Sequence, residues 1–191
     1  HFVLLRVEVC VPGCRGCIIN SSKGRLHCGA YYSRSSGVGY GVMIAVFQRV
    51  SGAWVEVEGE ELSRIGKGAV VLVGVESGDT DDDAQYVAEK CGSLRVFDDE
   101  NGRLNLSVLD VNGSVLLVSQ FTLCADCRKG RRPSFASAAH PDEGKRLYEL
   151  VASRLREKGT EVQTGRFQAH MGVHLTNDGP VTVIVDSRKR L

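Results

Sequence analysis

Residues 69–75 read AVVLVGV, seven positions without one polar side chain. The run is too short for an ordinary helix and is bracketed by Gly66-Lys67-Gly68 and Ser77-Gly78. It reads as a strand, and its continuous apolar character places it at the centre of a sheet. The segments on either side supply the neighbours. Residues 43–50 (MIAVFQRV) form a short, mostly apolar first strand. Residues 53–58 alternate, with Trp54, Glu56 and Glu58 on one side and Val55 and Val57 on the other. Gly59-Glu60 turns that strand into residues 61–65, which makes a hairpin.

After the central strand, Thr80 is placed to cap a helix whose first turn holds Asp81, Asp82 and Asp83, where the helix dipole favours anions. Ala84, Val87 and Cys91 form its apolar stripe. Residues 104–109 and 114–123 read as strands joined through Val111-Asn112-Gly113, a hairpin signal. Residues 124–139 are irregular and dense in charge. Pro141 opens a second helix with Leu147, Leu150, Val151 and Leu155 as its stripe, and Lys158-Gly159 ends it. Residues 161–164, 172–176 and 181–186 close the chain as strands. The order predicts an α/β domain: a twisted, mainly antiparallel sheet or barrel-like sheet with two covering helices. A doubly wound parallel fold needs more crossover helices than this.

Charge divides the chain. The 191 residues carry 24 Lys plus Arg and 23 Asp plus Glu. Residues 1–42 hold five basic residues against the single acid Glu8, and residues 43–191 hold 19 basic and 22 acidic. The overall balance excludes a wholly basic nucleic-acid coat protein and leaves room for a local basic patch. The first Met is Met43. Residues 1–42 are expected to be disordered or loosely attached: an extension, a targeting peptide, or sequence upstream of a start at Met43. The functional domain is expected over residues 43–191. Four of the seven Cys (Cys10, Cys14, Cys17, Cys28) lie in the leading segment at a spacing that matches no common zinc module. Cys124 and Cys127 lack a second knuckle. No metal and no cofactor are expected, and no stretch is long and apolar enough for a spanning helix.

The chain has no G-x-S-x-G, no H-E-x-x-H and no glycine-rich phosphate loop. Two segments carry the chemistry instead. SQFTL (residues 119–123) puts hydroxyls at the end of an apolar strand, beside a loop; the bland alternative is that Ser119 and Thr122 are ordinary strand residues. Arg128, Lys129, Arg131 and Arg132 follow, a phosphate-binding candidate or a solvated charge run. NDGPVT (residues 177–182) reads as a turn between two strands, and sequence leaves the isomer before Pro180 open.

From Met43 to about Ser187 these motifs resemble the D-aminoacyl-tRNA deacylases of the bacterial and eukaryotic type. MIAVFQRV, GVESGDT, RVFDDENGRLNLSVLDVNGSVLLVSQFTL, ADCRKGRRPSF and NDGPVT carry the likeness. The resemblance implies a homodimeric hydrolase that frees D-amino acids, or glycine, from the 3′-terminal adenosine of tRNA, as chiral proofreading in translation. It implies that Ser119, Gln120, Phe121 and Thr122 line the aminoacyl pocket, with Thr122 positioning substrate and backbone amides facing the reacting carbonyl. It implies a Gly179-cis-Pro180 element that reaches into the partner's pocket and rejects L side chains with its carbonyls, braced by Arg49. Phe167 and Met171 fall near the adenine and aminoacyl region, with Asn177 and Thr182 in support. Arg128, Lys129, Arg131 and Arg132 become tRNA phosphate contacts. Cys124, in place of an aromatic residue, and FQAHMGV, with Gln168 and His170 where Gly and Asp are usual, depart from the pattern beside the pocket. The rival is a non-catalytic tRNA- or RNA-binding, translation-associated module. A cytoplasmic location is expected, with organellar targeting by residues 1–42 as the alternative.

Overall fold

The computed structural model describes residues 6–9 and 42–189. Its backbone is one long ribbon around which everything else is arranged. Strand β2 (Ile44–Val57) pairs antiparallel with three others: β3 (Glu60–Ile65), β4 (Gly68–Gly74) and the slightly longer β9 (Met171–Asp186). The predicted break at residues 50–53 is a pair of register shifts within β2, so two expected strands are one bent strand. The bend turns the outer half of β2 over the sheet, and β3 arrives through the expected hairpin.

The apolar run at residues 69–75 is central as predicted, between β2 and β7 (Ser114–Ser119). Strand β7 runs parallel to β4, and β8 (Glu161–Thr164) runs parallel to β7. Helix α1 (Asp81–Ser93) and helix α2 (Pro141–Glu157) carry the chain across between these parallel strands. The sheet is mixed, with its longest pairings antiparallel, and nearly closes into a barrel with both helices on one face. A parallel strand, β1 (Arg6–Val9), adds to the outer edge of β9 opposite Gly172–Leu175 of that strand. The remaining expectation for residues 1–42 lies outside the described residues.

Two cores follow from the period-two alternation of the strands. Met43, Ala45, Phe47, Ala69, Val71, Val73, Val115 and Leu117 face the helices and meet Ala84, Val87, Cys91, Leu147, Val151 and Leu155. The opposite face, with Val70, Leu116 and Val118, is wrapped by Val55, Val57, Ile65, Met171, Val173 and Leu175 from the curled half. Thus β4 is covered on both sides, as its composition demands. Thr80 caps α1 through a reciprocal box with Asp83, and Pro141 occupies the first turn of α2. Among the described residues no helix is long and apolar enough to cross a membrane.

The predicted hairpin through Val111-Asn112-Gly113 does not form. Strand β6 (Leu104–Leu106) pairs with the two-residue β5 (Phe97–Asp98) instead. The Asp110 carboxylate accepts from the Ser107 amide and hydroxyl at 2.8 and 2.7 Å, which ends the strand in a turn. Asn112 takes the left-handed conformation (φ 51) and releases the chain into β7, where β4 already offers a parallel edge. The turn forms where its residues predict it, and tertiary pairing decides which strand follows it.

Candidate active site

Strand β7 ends at Ser119, and the chain tightens at once into a 3-10 turn, Phe121–Cys124. Main-chain bonds fix it. The Gln120 amide donates to the Val73 carbonyl at 2.7 Å, and the Leu123 amide donates to the Gln120 carbonyl at 3.1 Å. Gly74 lies beneath. A Cβ there would stand 2.9 Å from the Leu123 Cβ and 3.1 Å from the Gln120 carbonyl, so only glycine lets the turn sit this low. Gln120 is buried, and its side-chain amide contacts the Thr122 hydroxyl. Phe121 is exposed and packs edge-on against Phe135 at 5.2 Å. Ser119 and Thr122 are half-buried. The four residues thus form one rigid patch at the strand end.

The Cys124 thiol lies buried beneath the patch, 3.4 Å from the Val75 carbonyl; burial, then the nearby Glu76 and Asp79 carboxylates, push it up to about 12. It is a packing residue and not a nucleophile. Asp79, missed in the sequence, is buried with one carboxylate oxygen accepting from the Glu76 amide at 2.7 Å and the other unpartnered among the described residues. Its carboxyl is pushed up to about 7, by burial first and by the neighbouring Asp83 and Glu76 carboxylates. Among the described residues no three His, Cys, Asp or Glu side chains converge as a metal site would require.

The basic loop follows directly. Asp126 and Ser134 bridge its neck, with backbone bonds of 2.8 and 3.0 Å. Arg128, Lys129, Arg131 and Arg132 are all exposed beyond it. Arg128 is held by the Asp126 carboxylate, with 2.7 Å from its Nε. Among the described residues no ion pair engages Lys129, Arg131 or Arg132.

NDGPVT is not a turn between two strands, as the sequence suggested. It is a bulge inside the single strand β9. Gln48 of β2 pairs with Thr182 and Val50 with Asn177, so residues 178–181 all stand opposite Arg49 alone. The excess chain is forced outward, which leaves Asp178, Gly179 and Pro180 exposed. The Gly179-Pro180 bond is cis. The Asn177 side-chain amide closes the neck by donating to the Arg49 and Val181 carbonyls at 2.8 and 3.1 Å, a use of both its hydrogens. Arg49, itself buried, braces the bulge: Nε donates to the Asp178 carbonyl at 3.1 Å and Nη2 to the Gly179 carbonyl at 3.4 Å. Its Nη1 donates to the Val96 carbonyl at 2.6 Å and reaches the Asp98 carboxylate at 3.4 Å. The Asp178 carboxylate adds a 3.0 Å ion pair. The Asp98, Val96 and Asp178 partners gave no signal in the sequence, because they are brought together only by the bulge and the short β5.

These two elements do not meet within one chain. Arg49 pairs with Ala69, and Ala69 with Val115, whereas Ser119 pairs with Val73. Four residues of strand separate the two levels, about 13 Å along the sheet. Thr182 is exposed beside the bulge, touching Gln48 at 3.4 Å. Phe167 lies past the end of β8, tilted against Tyr148 at 6.2 Å. Tyr148 donates to the Leu117 carbonyl at 2.8 Å, two residues before Ser119, so the Phe167 region adjoins the strand-end patch. Met171 is buried in the inner core, at the start of β9. Gln168 sits in the left-handed region (φ 60), where glycine is at ease, and His170 is exposed.

The family model described as D-Tyr-tRNA(Tyr) deacylase matches residues 46–186, which takes in both elements. The chain belongs to the D-aminoacyl-tRNA deacylase family. It is 57% identical to a D-aminoacyl-tRNA deacylase of Thermotoga petrophila over 147 residues, 77% of this chain and 99% of the relative. It is 59% identical to the Heliobacterium modesticaldum protein of the same name over 146 residues, 76% of this chain and 97% of the relative. Among solved structures it resembles one titled c-Myc DNA Unwinding Element Binding Protein: TM-score 0.71, 39% identity, 74% of this chain and 97% of that one. A structure titled as a probable eukaryotic D-amino acid tRNA deacylase shares the fold at TM-score 0.66 and 18% identity, over 76% of this chain and 99% of that one. The family's shared region begins within β2 and ends with β9, so the strand-end patch, the basic loop and the bulge all lie inside it.

Proposed function

We propose that this protein hydrolyses the ester that joins a D-amino acid, or glycine, to the 3′-terminal adenosine of tRNA, and that it works as a homodimer. The carrying observation is one domain that presents an arginine-braced Gly179-Pro180 projection and a rigid Ser119–Thr122 patch at separate levels of the same sheet. Two copies bring them together. The projection of one copy enters the patch of the other, and its carbonyls occupy the space an L side chain needs while accepting hydrogen bonds from the amino group. Rejection by backbone carbonyls works on any side chain, because it reads chirality and not identity.

An outer apolar row supports the assembly. Leu72, Val46 and Ile184 pair in register across β4, β2 and β9, and Ile184 is 55% exposed. That row stands beside the bulge and is the surface we assign to the second copy.

At the patch, Thr122 and Gln120 position the aminoacyl group. The Phe121 and Thr122 amides open the 3-10 turn with no carbonyl ahead of them in the helix and face the developing oxyanion. An aminoacyl ester is already activated, so placement and charge stabilisation suffice without a nucleophilic triad. The terminal ribose 2′-hydroxyl assists the attacking water. Arg128, Lys129, Arg131 and Arg132 contact tRNA phosphates. The work belongs in the cytoplasm, and a reporter fused to residues 1–42 tests the organellar alternative. The enzymatic reading is tested by incubating the full chain with D-tyrosyl-tRNA and L-tyrosyl-tRNA. Release of D-tyrosine well above the buffer rate, with L-tyrosine retained, is the expected result. Release of neither ester leaves the non-catalytic RNA-binding module in its place.

A further inference from the structure

The barrel is not quite closed, and the gap carries cations. Strand β8 is the edge of the sheet beyond β7, and β3 approaches it without pairing. Two adjoining depressions follow this seam. One, about 480 Å³, lies between α2 and the end of β8 and is faced by Lys145, Glu149, Arg156 and Arg166. The other, about 330 Å³, lies between β3 and β8 and is faced by Ser63, Arg156 and Arg166. Arg156, Thr164, Gly165 and Arg166 border both, so the two form one trough.

Three cations face a single carboxylate there. Glu149 stands 3.8 Å from Lys145, a loose pair on one helix face. Arg156 spends one donor on the Val162 carbonyl at 3.0 Å, which fixes the guanidinium at the seam with further N–H groups to offer. Arg166 is exposed at the strand end. The Ser63 hydroxyl is buried with no partner among the described residues. Two arginines and a lysine facing one carboxylate suit an anion that accepts several hydrogen bonds at once, which is the chemistry of a phosphate group.

We propose that this trough binds the phosphodiester backbone of the protein's nucleic-acid partner. The proposal rests on the tRNA reading above and adds to it a second phosphate-binding surface, separate from the loop at residues 128–132. Its placement fits a single strand that runs up to the patch. Thr164 pairs with Leu117, Tyr148 bonds the same Leu117 carbonyl, and Ser119 lies two residues on. A strand held by Arg156 and Arg166 therefore reaches the patch with its terminal nucleotide.

The test uses uncharged tRNA and the full chain, so that it does not depend on hydrolysis. Binding is followed across a salt series for the wild type, for Arg166→Gln, and for Arg156→Gln/Arg166→Gln. A Lys90→Gln/Arg103→Gln variant, on exposed positions elsewhere, controls for net charge. The double trough variant is expected to bind about tenfold more weakly near 0.1 M salt, with the slope of log affinity on log salt reduced by about 0.7 for each phosphate that is no longer neutralised. The single variant takes about half of that change and guards against misfolding of the double. Equal weakening in the control variant, or an unchanged slope with an unchanged melting temperature, overturns the proposal. So does a trough that responds to inorganic phosphate alone: a wild-type melting temperature raised by phosphate and lost in the double variant, with tRNA affinity unaltered, marks a free-anion site. Failure of D-tyrosyl-tRNA hydrolysis by the wild type counts against the enzyme reading and leaves the salt slopes to judge the trough.

Discussion

The strand end at residues 119–124 and the bulge at residues 177–181 are both rigid, and they become so in opposite ways. The strand end is held by burial. Its backbone bonds run to the central strand, and Gly74 lets it sink until the Leu123 and Cys124 side chains pack beneath it. The bulge projects, with Asp178, Gly179 and Pro180 exposed and Val181 alone anchored in the core. It is held by polar groups that reach it from behind, the Arg49 guanidinium and the Asn177 amide. The first construction suits a surface that receives a substrate. The second suits an element that must project and still keep its carbonyls fixed.

Removing the proposed second copy is expected to have the largest effect, because it parts the two elements. Ile184→Asp puts a charge on the apolar row beside the bulge, where it would be desolvated in a dimer. The variant is expected to sediment as a monomer and to lose about 100-fold in D-aminoacyl-tRNA hydrolysis, the cost typical of a misplaced catalytic geometry. A monomer with full activity would mean that the two elements do not complement each other between copies.

Arg49 is the next point of attack, because the bulge depends on it and the strand end does not. Arg49→Ala leaves the Val96 and Gly179 carbonyls and two carboxylates without their cation. A loss of about 3 kcal/mol in urea unfolding is expected. Discrimination between D- and L-tyrosyl-tRNA should fall with it, since the carbonyls lose their brace. Arg49→Lys keeps the charge and loses the fork, and should recover stability more than discrimination.

Legibility in the sequence followed the same division. The buried parts could be read: the all-apolar run at residues 69–75, the Thr80 cap and the Leu147–Val151–Leu155 stripe each announce themselves by pattern, and each is found in place. What depended on long-range register could not. The hairpin signal at Asn112-Gly113 was overruled by an open parallel edge on β4, and NDGPVT looked like a turn because nothing local reveals that Thr182 and Asn177 pair with one continuous strand. Arg49 and the Gly-Pro segment came from family likeness. Arg49 and Asn177 lie 128 residues apart in sequence, which gives no periodic signal, and the carbonyl partners of Arg49 are defined only by the folded bulge.

Gly74→Ala probes the strand end alone. The added methyl has no room at 2.9 Å from the Leu123 Cβ, and overpacking of this kind costs about 1–3 kcal/mol. Thermal unfolding should show the loss, and tRNA hydrolysis should fall while D/L discrimination is retained, the reverse of the Arg49 pattern. Thr122→Ala is gentler. It removes one side-chain contact to Gln120 from the patch, and about a tenfold decrease in kcat/KM is expected, carried more by KM than by kcat. A stable aminoacyl ester on Thr122, detected by mass spectrometry of a quenched reaction, would give that residue a nucleophilic role instead.

The smallest effect concerns what lies under the strand end. Asp79 is buried beside Cys124, with its carboxyl raised from the usual 3.8 to about 7 by desolvation and by the Asp83 and Glu76 charges. Below the unfolded value both states hold the proton and Asp79 costs nothing. Between about 4 and 7 the folded state keeps a proton that the unfolded chain releases, so stability falls as pH rises through that window, and above it the full penalty of a buried carboxylate remains. Asp79→Asn retains an acceptor for the Glu76 amide and cannot ionise. It should raise the melting temperature at pH 8 by about 2–4 °C relative to wild type and flatten the decline between pH 4 and 7. Among the described residues Asp79 shares no hydrogen bond or ion pair with the bulge, which serves as the internal reference. Amide exchange at Leu123 and at Val181, followed across the same pH range, separates the two: only the strand end should loosen as Asp79 ionises.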